Sequence, residues 1–331
     1  MKPGTFGPAS VFFIILLLFA SGWYLSLRFG AVSYSNADLM AVLKHPFTNS
    51  ANQDVIIDIR LPRMVAAALV GAAMALSGVI MQGVTRNPIA DPGLLGINAG
   101  AGLALIISYA FVKSLHYSAI LAICFIGSAV ATILVFSLAY QPRKGYNQLR
   151  LILAGSMVAT LFSAIGQALT IYFNLSGAII GWQAGGLVQT NWSMIRFIAP
   201  FILLGMLAAQ AFAHQLTILS LNETVSKALG QKTFFMTISL LGIVLLLSAS
   251  AVALIGSIAF VGLIIPHFVK MFIPRDYRLI LPLTAFAGAT FLLWVDLVCR
   301  TLNPPYETPL NALICIVGLP CFLWLIRRGR L

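Results

Sequence analysis

The sequence predicts an all-α polytopic membrane protein of about ten transmembrane helices with both termini cytoplasmic. Three observations carry that prediction. Of the 331 residues, 60% are hydrophobic and 8% charged, at a mean hydropathy of +0.98, which leaves too little polar surface to solvate a fold of this size in water. Apolar runs recur along the whole chain, most of them close to the roughly 20 residues that span a hydrocarbon core. The basic residues, which give a formal net charge of +12, punctuate the gaps between these runs. A nucleic-acid module gathers its Lys and Arg on one face instead, so no nucleic-acid partner is expected.

Taken in order, the first run is Val11–Phe29. With Lys2 as its sole upstream charge and no small-residue cleavage site behind it, it reads as a retained anchor and not a signal peptide. The stretch Arg60–Gly102 then supplies a hairpin. Arg60 and Arg63 open it, Leu61–Gly83 crosses, the turn Thr85–Pro92 with Asn87, Pro88 and Asp91 breaks the run, and Leu94–Val112 returns. Further crossings are Ser118–Tyr140, Leu151–Tyr172, Trp192–Ala213, Phe234–Ala253, Ile258–Phe272, Leu279–Leu297 and Pro309–Leu325. With cytoplasmic termini, 13 of the 20 Lys and Arg residues lie inside and 7 outside, as the positive-inside rule requires. No soluble domain fits between the runs, so residues 1–331 form one membrane domain.

Ile258–Phe272 is the weakest run, short and holding Pro266 and His267 after Gly256. A broken helix of this kind is tolerated only where neighbours satisfy its freed backbone groups, so it belongs inside the bundle. Small residues recur at helix-packing spacing, as at Gly71, Ala75 and Gly78, and at Gly96, Gly100 and Gly102. They serve close packing, and such thin contacts also suit a bundle that rocks between two arrangements. Gly71, Gly78, Gln82, Asn87, Pro88, Gly96 and Gly100 are the packing and gating candidates.

Ionisable residues within the runs fall near their ends: Arg28, Arg63, Arg196, His267, Lys270 and Asp296. Proton- and ion-coupled carriers keep ionisable groups at depth for function, so a secondary carrier or channel is the lesser reading, with sodium sites built from carbonyls outside this test. A receptor or scaffold that moves nothing ranks lower still. The sequence has no H-E-x-x-H, no G-x-S-x-G and no G-x-x-x-x-G-K-[ST] loop. Catalysis, cofactor and metal binding are therefore not expected in this chain. Cys124, Cys299, Cys315 and Cys321 form no C-x-x-C pair and read as packing residues.

Two stretches suit partners. Ser220–Gly230, on the cytoplasmic side, has a short helical pattern with Ser220 or Asn222 as N-cap, Glu223 placed to pair with Lys227, and Gly230 as stop. Val225, Ala228 and Leu229 make it amphipathic. It fits equally a helix lying in the membrane interface and one docking into a groove on a partner ATPase. On the outer side, Arg60, Arg63 and Arg300 suit a protein partner bearing glutamates, because the guanidinium fork takes a carboxylate at two points. They also fit the plainer reading of boundary markers, with Arg300 paired to Asp296 one turn earlier.

From RLPR at Arg60–Arg63 through the hairpin to Gly102, the chain resembles the FecCD-type permeases, membrane subunits of ABC importers for iron-siderophores, haem and cobalamin. The pattern Trp182, Gly185, Gly186, Leu187, Trp192, the stretch Val261–Lys270, the run Val295–Arg300 and the terminal VGLPCFLWLIRR extend the resemblance over nearly the whole chain. It implies a type II ABC importer permease fold, a dimer with itself or a homologue, two ATPase subunits, an extracytoplasmic binding protein, and a bacterial cytoplasmic membrane. It also implies that Arg60, Arg63 and Arg300 meet glutamates of that binding protein, and that Asn222–Gly230 is the coupling helix. Two departures stand out: Leu221-Asn222 where the family commonly has Leu-Gly, and Asn311 where the stretch Glu307–Asn311 usually ends in glycine.

Overall fold

The computed structural model describes residues 7–44, 53–112, 115–141, 145–146, 148–175, 177, 179, 186–221, 223–273 and 276–327. Apart from a two-residue antiparallel ladder pairing Tyr140–Gln141 with Gly145–Tyr146, its regular structure is helical. In chain order the helices are α1 (Pro8–Arg28), α2 (Asn36–Lys44), α3 (Leu61–Thr85), α4 (Ile97–Phe111), α5 (Tyr117–Ala139), α6 (Gln148–Tyr172), α7 (Trp192–Ala211), α8 (Ala213–Leu219), α9 (Glu223–Ala228), α10 (Thr233–Ile255), α11 (Val261–Phe272), α12 (Tyr277–Thr301) and α13 (Leu310–Arg327). Each of the ten apolar runs overlaps one of them. Among the described residues, seven helical spans are long and apolar enough to cross a membrane, and α4, α11 and most of α13 are shorter apolar helices. The chain is thus a multi-pass membrane protein.

Helix α3 is the hub, because its Ala- and Gly-rich sequence leaves room for neighbours on every side. It is preceded by a π-helical turn, Asp54–Arg60, that runs into it without a break, with Pro62 accommodated at the junction. Most of its length is buried against α12, α10, α11 and α7. Glycine makes these contacts possible. A Cβ on Gly71 would overlap the carbonyl of Gly288 on α12, and one on Gly78 would overlap the carbonyl of Gly262 on α11. Backbones therefore touch directly, the close approach that drives helix association where no hydrophobic effect operates. Helix α1 is mostly outward-facing and clips to α12 through Trp294, whose indole N–H donates to the Leu18 carbonyl at 2.9 Å.

Two breaks give the interior its shape. Helix α3 ends with Arg86 in the left-handed region (φ 53°). The Asn87 side chain then accepts from Ile89 N, Pro88 is exposed, and Asp91 caps the 3-10 turn Pro92–Leu95 by accepting from Gly93 N at 2.8 Å. Gly96, at φ 69°, passes the chain into α4. The second break, residues 256–260, separates α10 from α11, so the eighth run is helical only from Val261. Its freed backbone groups are met from three directions: Gly186 N donates to Ile255 O, Asn98 Nδ2 to Ile258 O, and Ala259 N to Asn311 Oδ1. The broken helix packs inside the bundle as its sequence requires. Asn311, the residue departing from the family pattern, is one of the groups that hold it.

Candidate functional site: a buried charge cluster and an exposed short helix

The arginines that the sequence places at one end of α3 and α12 come together, but they are not exposed. Arg60, Arg63 and Arg300 are each about 5% accessible (4%, 6% and 6%). Asp296, fully buried on α12, explains why. Its carboxylate takes Arg63 at 2.7 Å and lies 3.1 Å from Arg300 one helical turn away. Glu307, on the loop before α13, grips Arg63 from the other side in two-point fashion, at 2.6 and 2.8 Å. Arg60 donates to the carbonyls of Leu27 and Val32, and its guanidinium lies 4.6 Å from the centre of the Tyr34 ring. Each guanidinium is thus built into the protein's own contacts. The cluster still holds three cations against two carboxylates, and Nη2 of Arg300 has no hydrogen-bond partner among the described residues.

Sequence reasoning paired Arg300 with Asp296 as the plainer alternative and did not connect Arg63 to either carboxylate. The i, i+4 spacing made the first pair legible. The Arg63–Asp296 contact spans 233 positions, and no local signal announces it.

Along α3, Gln82 is buried and bridges to α11. Its amide nitrogen lies 3.4 and 3.3 Å from the carbonyls of Gly262 and Leu263, and its oxygen accepts from Lys270 Nζ at 2.9 Å. These bonds lie beside the Gly78 contact, so Gln82 secures the packing of the broken helix. Gly100 on α4 meets Gly127 on α5 backbone to backbone, like Gly71 and Gly288. Asp91, outside the crossing segments, has one buried oxygen without a partner among the described residues, and burial pushes its carboxyl up to about 6 against the opposing pull of Gly93 N–H.

At the opposite end of α3 from the arginines, the expected short helix forms as α9. Asn222 and the Glu223 side chain lie outside the described residues, as do Trp182 and Gly185 of the tryptophan pattern. Val225, Ala228 and Leu229 are exposed, and Gly230 takes φ 78° to end the helix. Ser220 does not cap it, because its hydroxyl donates back to Thr217 O within the preceding turn. Instead Ser226, buried, donates to Ile218 O at 2.7 Å and fixes α9 to α8 with its apolar side outward. Arg86 Nε reaches Leu219 O at 3.0 Å, tying the α3 turn to the same segment.

Comparison with known proteins places the chain among transport permeases. Residues 15–328 match the model of the FecCD transport family. The chain is 36% identical over 326 residues to the iron(3+)-hydroxamate import system permease protein FhuB of Bacillus subtilis, covering 98% of this chain and 85% of that one. It is 37% identical over 334 residues to the hemin transport system permease protein HmuU of Yersinia pestis, covering 96% and 94%. Its fold matches a solved ABC transporter of the metal-chelate type, in an inward-facing conformation, with a TM-score of 0.83 at 31% identity over 96% of this chain and 99% of the other.

Proposed function

The chain belongs to the FecCD transport family, and from that premise we propose that it is the permease subunit of an ATP-driven importer of a bulky metal chelate. The substrate class assigned first is an iron-siderophore, with haem or cobalamin as the alternative within the family. The observation that carries this reading is the fold, which matches a metal-chelate type ABC transporter along nearly its whole length. In this reading residues 1–331 are one membrane domain of ten crossings, with both termini cytoplasmic and 219–232 as the coupling loop, in a bacterial cytoplasmic membrane. ATP hydrolysis belongs to two separate subunits, and a second permease, a copy or a homologue, completes the path.

Two features support the partner assignments. The outward apolar side of α9, with Val225 and Leu229 exposed, suits a groove on an ATPase in the helix-in-groove manner. The Arg60, Arg63, Arg300 cluster, three cations against two carboxylates, keeps its end of the bundle electropositive toward the glutamates of an extracytoplasmic binding protein, acting through its field because the guanidiniums themselves are enclosed. A path through the bundle that lacks fixed charge then passes a large chelate already selected outside the membrane.

The test is uptake of radiolabelled iron presented as a panel of siderophores, with haem and labelled cobalamin alongside, in cells with and without this chain. Loss confined to one ferric chelate is the expected result. Loss of haem or cobalamin uptake instead selects the alternative, and unchanged uptake of all of them overturns the chelate assignment.

A further inference from the structure

The two carboxylates that hold Arg63 are not equivalent. Asp296 is fully buried on α12, whereas the Glu307 side chain is 35% accessible and sits on a loop, residues 302–309, that is exposed along most of its length. Asp296 also meets Arg300 at 3.1 Å, so its departure would strand two buried cations. Glu307 hydrogen-bonds to Arg63 alone among the described residues, in the two-point geometry that any other carboxylate could reproduce. Exchanging it returns one carboxylate to water and brings another out of it, while Arg63 stays as desolvated as before. The cluster favours such an arrival, since without Glu307 it holds three cations against one carboxylate.

The loop that carries Glu307 leads directly into α13. This helix packs on α11 and α12 and leaves Ile316, Leu319 and Leu323 exposed, so it is held lightly. Its start has three ties: the Glu307 grip on Arg63, Thr308 N donating to Cys299 O at 3.2 Å, and Asn311 Oδ1 accepting from Ala259 N at 3.3 Å in the broken corner. We propose that Glu307 is an internal stand-in for a partner's carboxylate. It occupies Arg63 until a glutamate or aspartate of the extracytoplasmic binding protein takes its place, and the exchange frees the 302–309 loop and the start of α13. The field of the cluster draws the partner in, and the exchange then gives the contact its two-point geometry. The inference rests on the permease reading above for the identity of the partner.

The experiment measures, by surface plasmon resonance, the affinity of the full permease–ATPase complex in lipid nanodiscs for the binding protein that serves the chelate singled out by the uptake panel. Glu307→Asp keeps the charge but is one methylene too short for the same grip, so it weakens the internal competitor without altering the field. It is expected to tighten partner binding about threefold, and Glu307→Gln, which removes the competing charge, about tenfold. Asp58→Asn controls for the field, because it also removes one negative charge, at an exposed position shortly before Arg63. Its affinity is expected to stay within about twofold of wild type. Thermal unfolding verifies that each variant is folded, and Glu307→Gln set against Asp58→Asn makes the comparison if Glu307→Asp does not fold. Unchanged or weaker binding in the Glu307 variants overturns the proposal. An equal gain in Glu307→Gln and Asp58→Asn assigns the effect to charge alone and overturns it as well, as does a folded complex that binds the protein in no form. The uptake panel decides the importer reading separately, and its outcome does not depend on Glu307.

Discussion

Arg63 is the side chain on which the outer cluster depends. It contacts Asp296, which is fully buried, and Glu307, which arrives from a loop. Removing one member of a buried ion network leaves the others unsatisfied, at a cost of about 3 to 5 kcal/mol. Arg63→Met is accordingly expected to lower the unfolding temperature in detergent sharply, and Arg63→Lys to fall between it and wild type, because an ammonium cannot reproduce the fork. An Arg63→Met protein as stable as wild type would show that the cluster contributes little. Asp91 gives a pH signature. With its carboxyl raised from 3.8 to about 6 by burial, the folded state favours the neutral form. The stability this contributes is complete below about pH 4 and is lost as pH rises through 6, so that by pH 7.5 the loss is at most about 3 kcal/mol. Asp91→Asn keeps an acceptor for Gly93 N and removes the charge. Thermal unfolding from pH 4.5 to 7.5 should show the variant gaining on wild type toward the alkaline end.

The helices form where the apolar runs place them, and their contacts obey the small-residue logic legible in α3. Which small residue faces which helix was not legible, because Gly78 and Gly262 are partners across 184 positions. The consequence is measurable. Glycine to alanine in a helix ordinarily gains about 0.5 to 1 kcal/mol, but at Gly78 the added carbon meets the Gly262 carbonyl. Gly78→Ala is therefore expected to destabilise by about 1 to 3 kcal/mol, visible as an earlier thermal transition. Helix α9 depends on its stop. Gly230→Val puts a branched residue at φ 78°, a conformation costing about 1 to 2 kcal/mol. With α9 as the coupling helix, substrate-stimulated ATP hydrolysis and uptake should fall together while the complex still inserts. Normal uptake in that variant would remove α9 from the coupling role.

Among the described residues, charge lies near the ends of the helices, and exposed apolar side chains of α1, α5, α6 and α7 face outward from the bundle. In the permease reading proposed above, energy enters through an attached ATPase. In proteoliposomes holding the full complex, uptake should require hydrolysable ATP and be unchanged by an ionophore that collapses the proton gradient. Dependence on the gradient with indifference to ATP would favour the secondary-carrier reading. The apolar helices could be read because hydrophobic length is a local, additive property of the chain. The burial of Arg60, Arg63 and Arg300 could not, since charge counts do not say which carboxylate will fold against them.

Composition and run length thus determined a multi-pass helical protein and its central hairpin, and the ordered motifs from Arg60 onward carried the resemblance to its family, because each of these is written in neighbouring residues. Tertiary structure alone decided that the outer arginines are enclosed by Asp296, Glu307 and the carbonyls of Leu27 and Val32, and that the broken corner at 256–260 is held by Gly186, Asn98 and Asn311. Those features arise from contacts between segments distant in the chain. Hydrophobic burial, desolvation and hydrogen-bond satisfaction select such contacts only once the helices have packed.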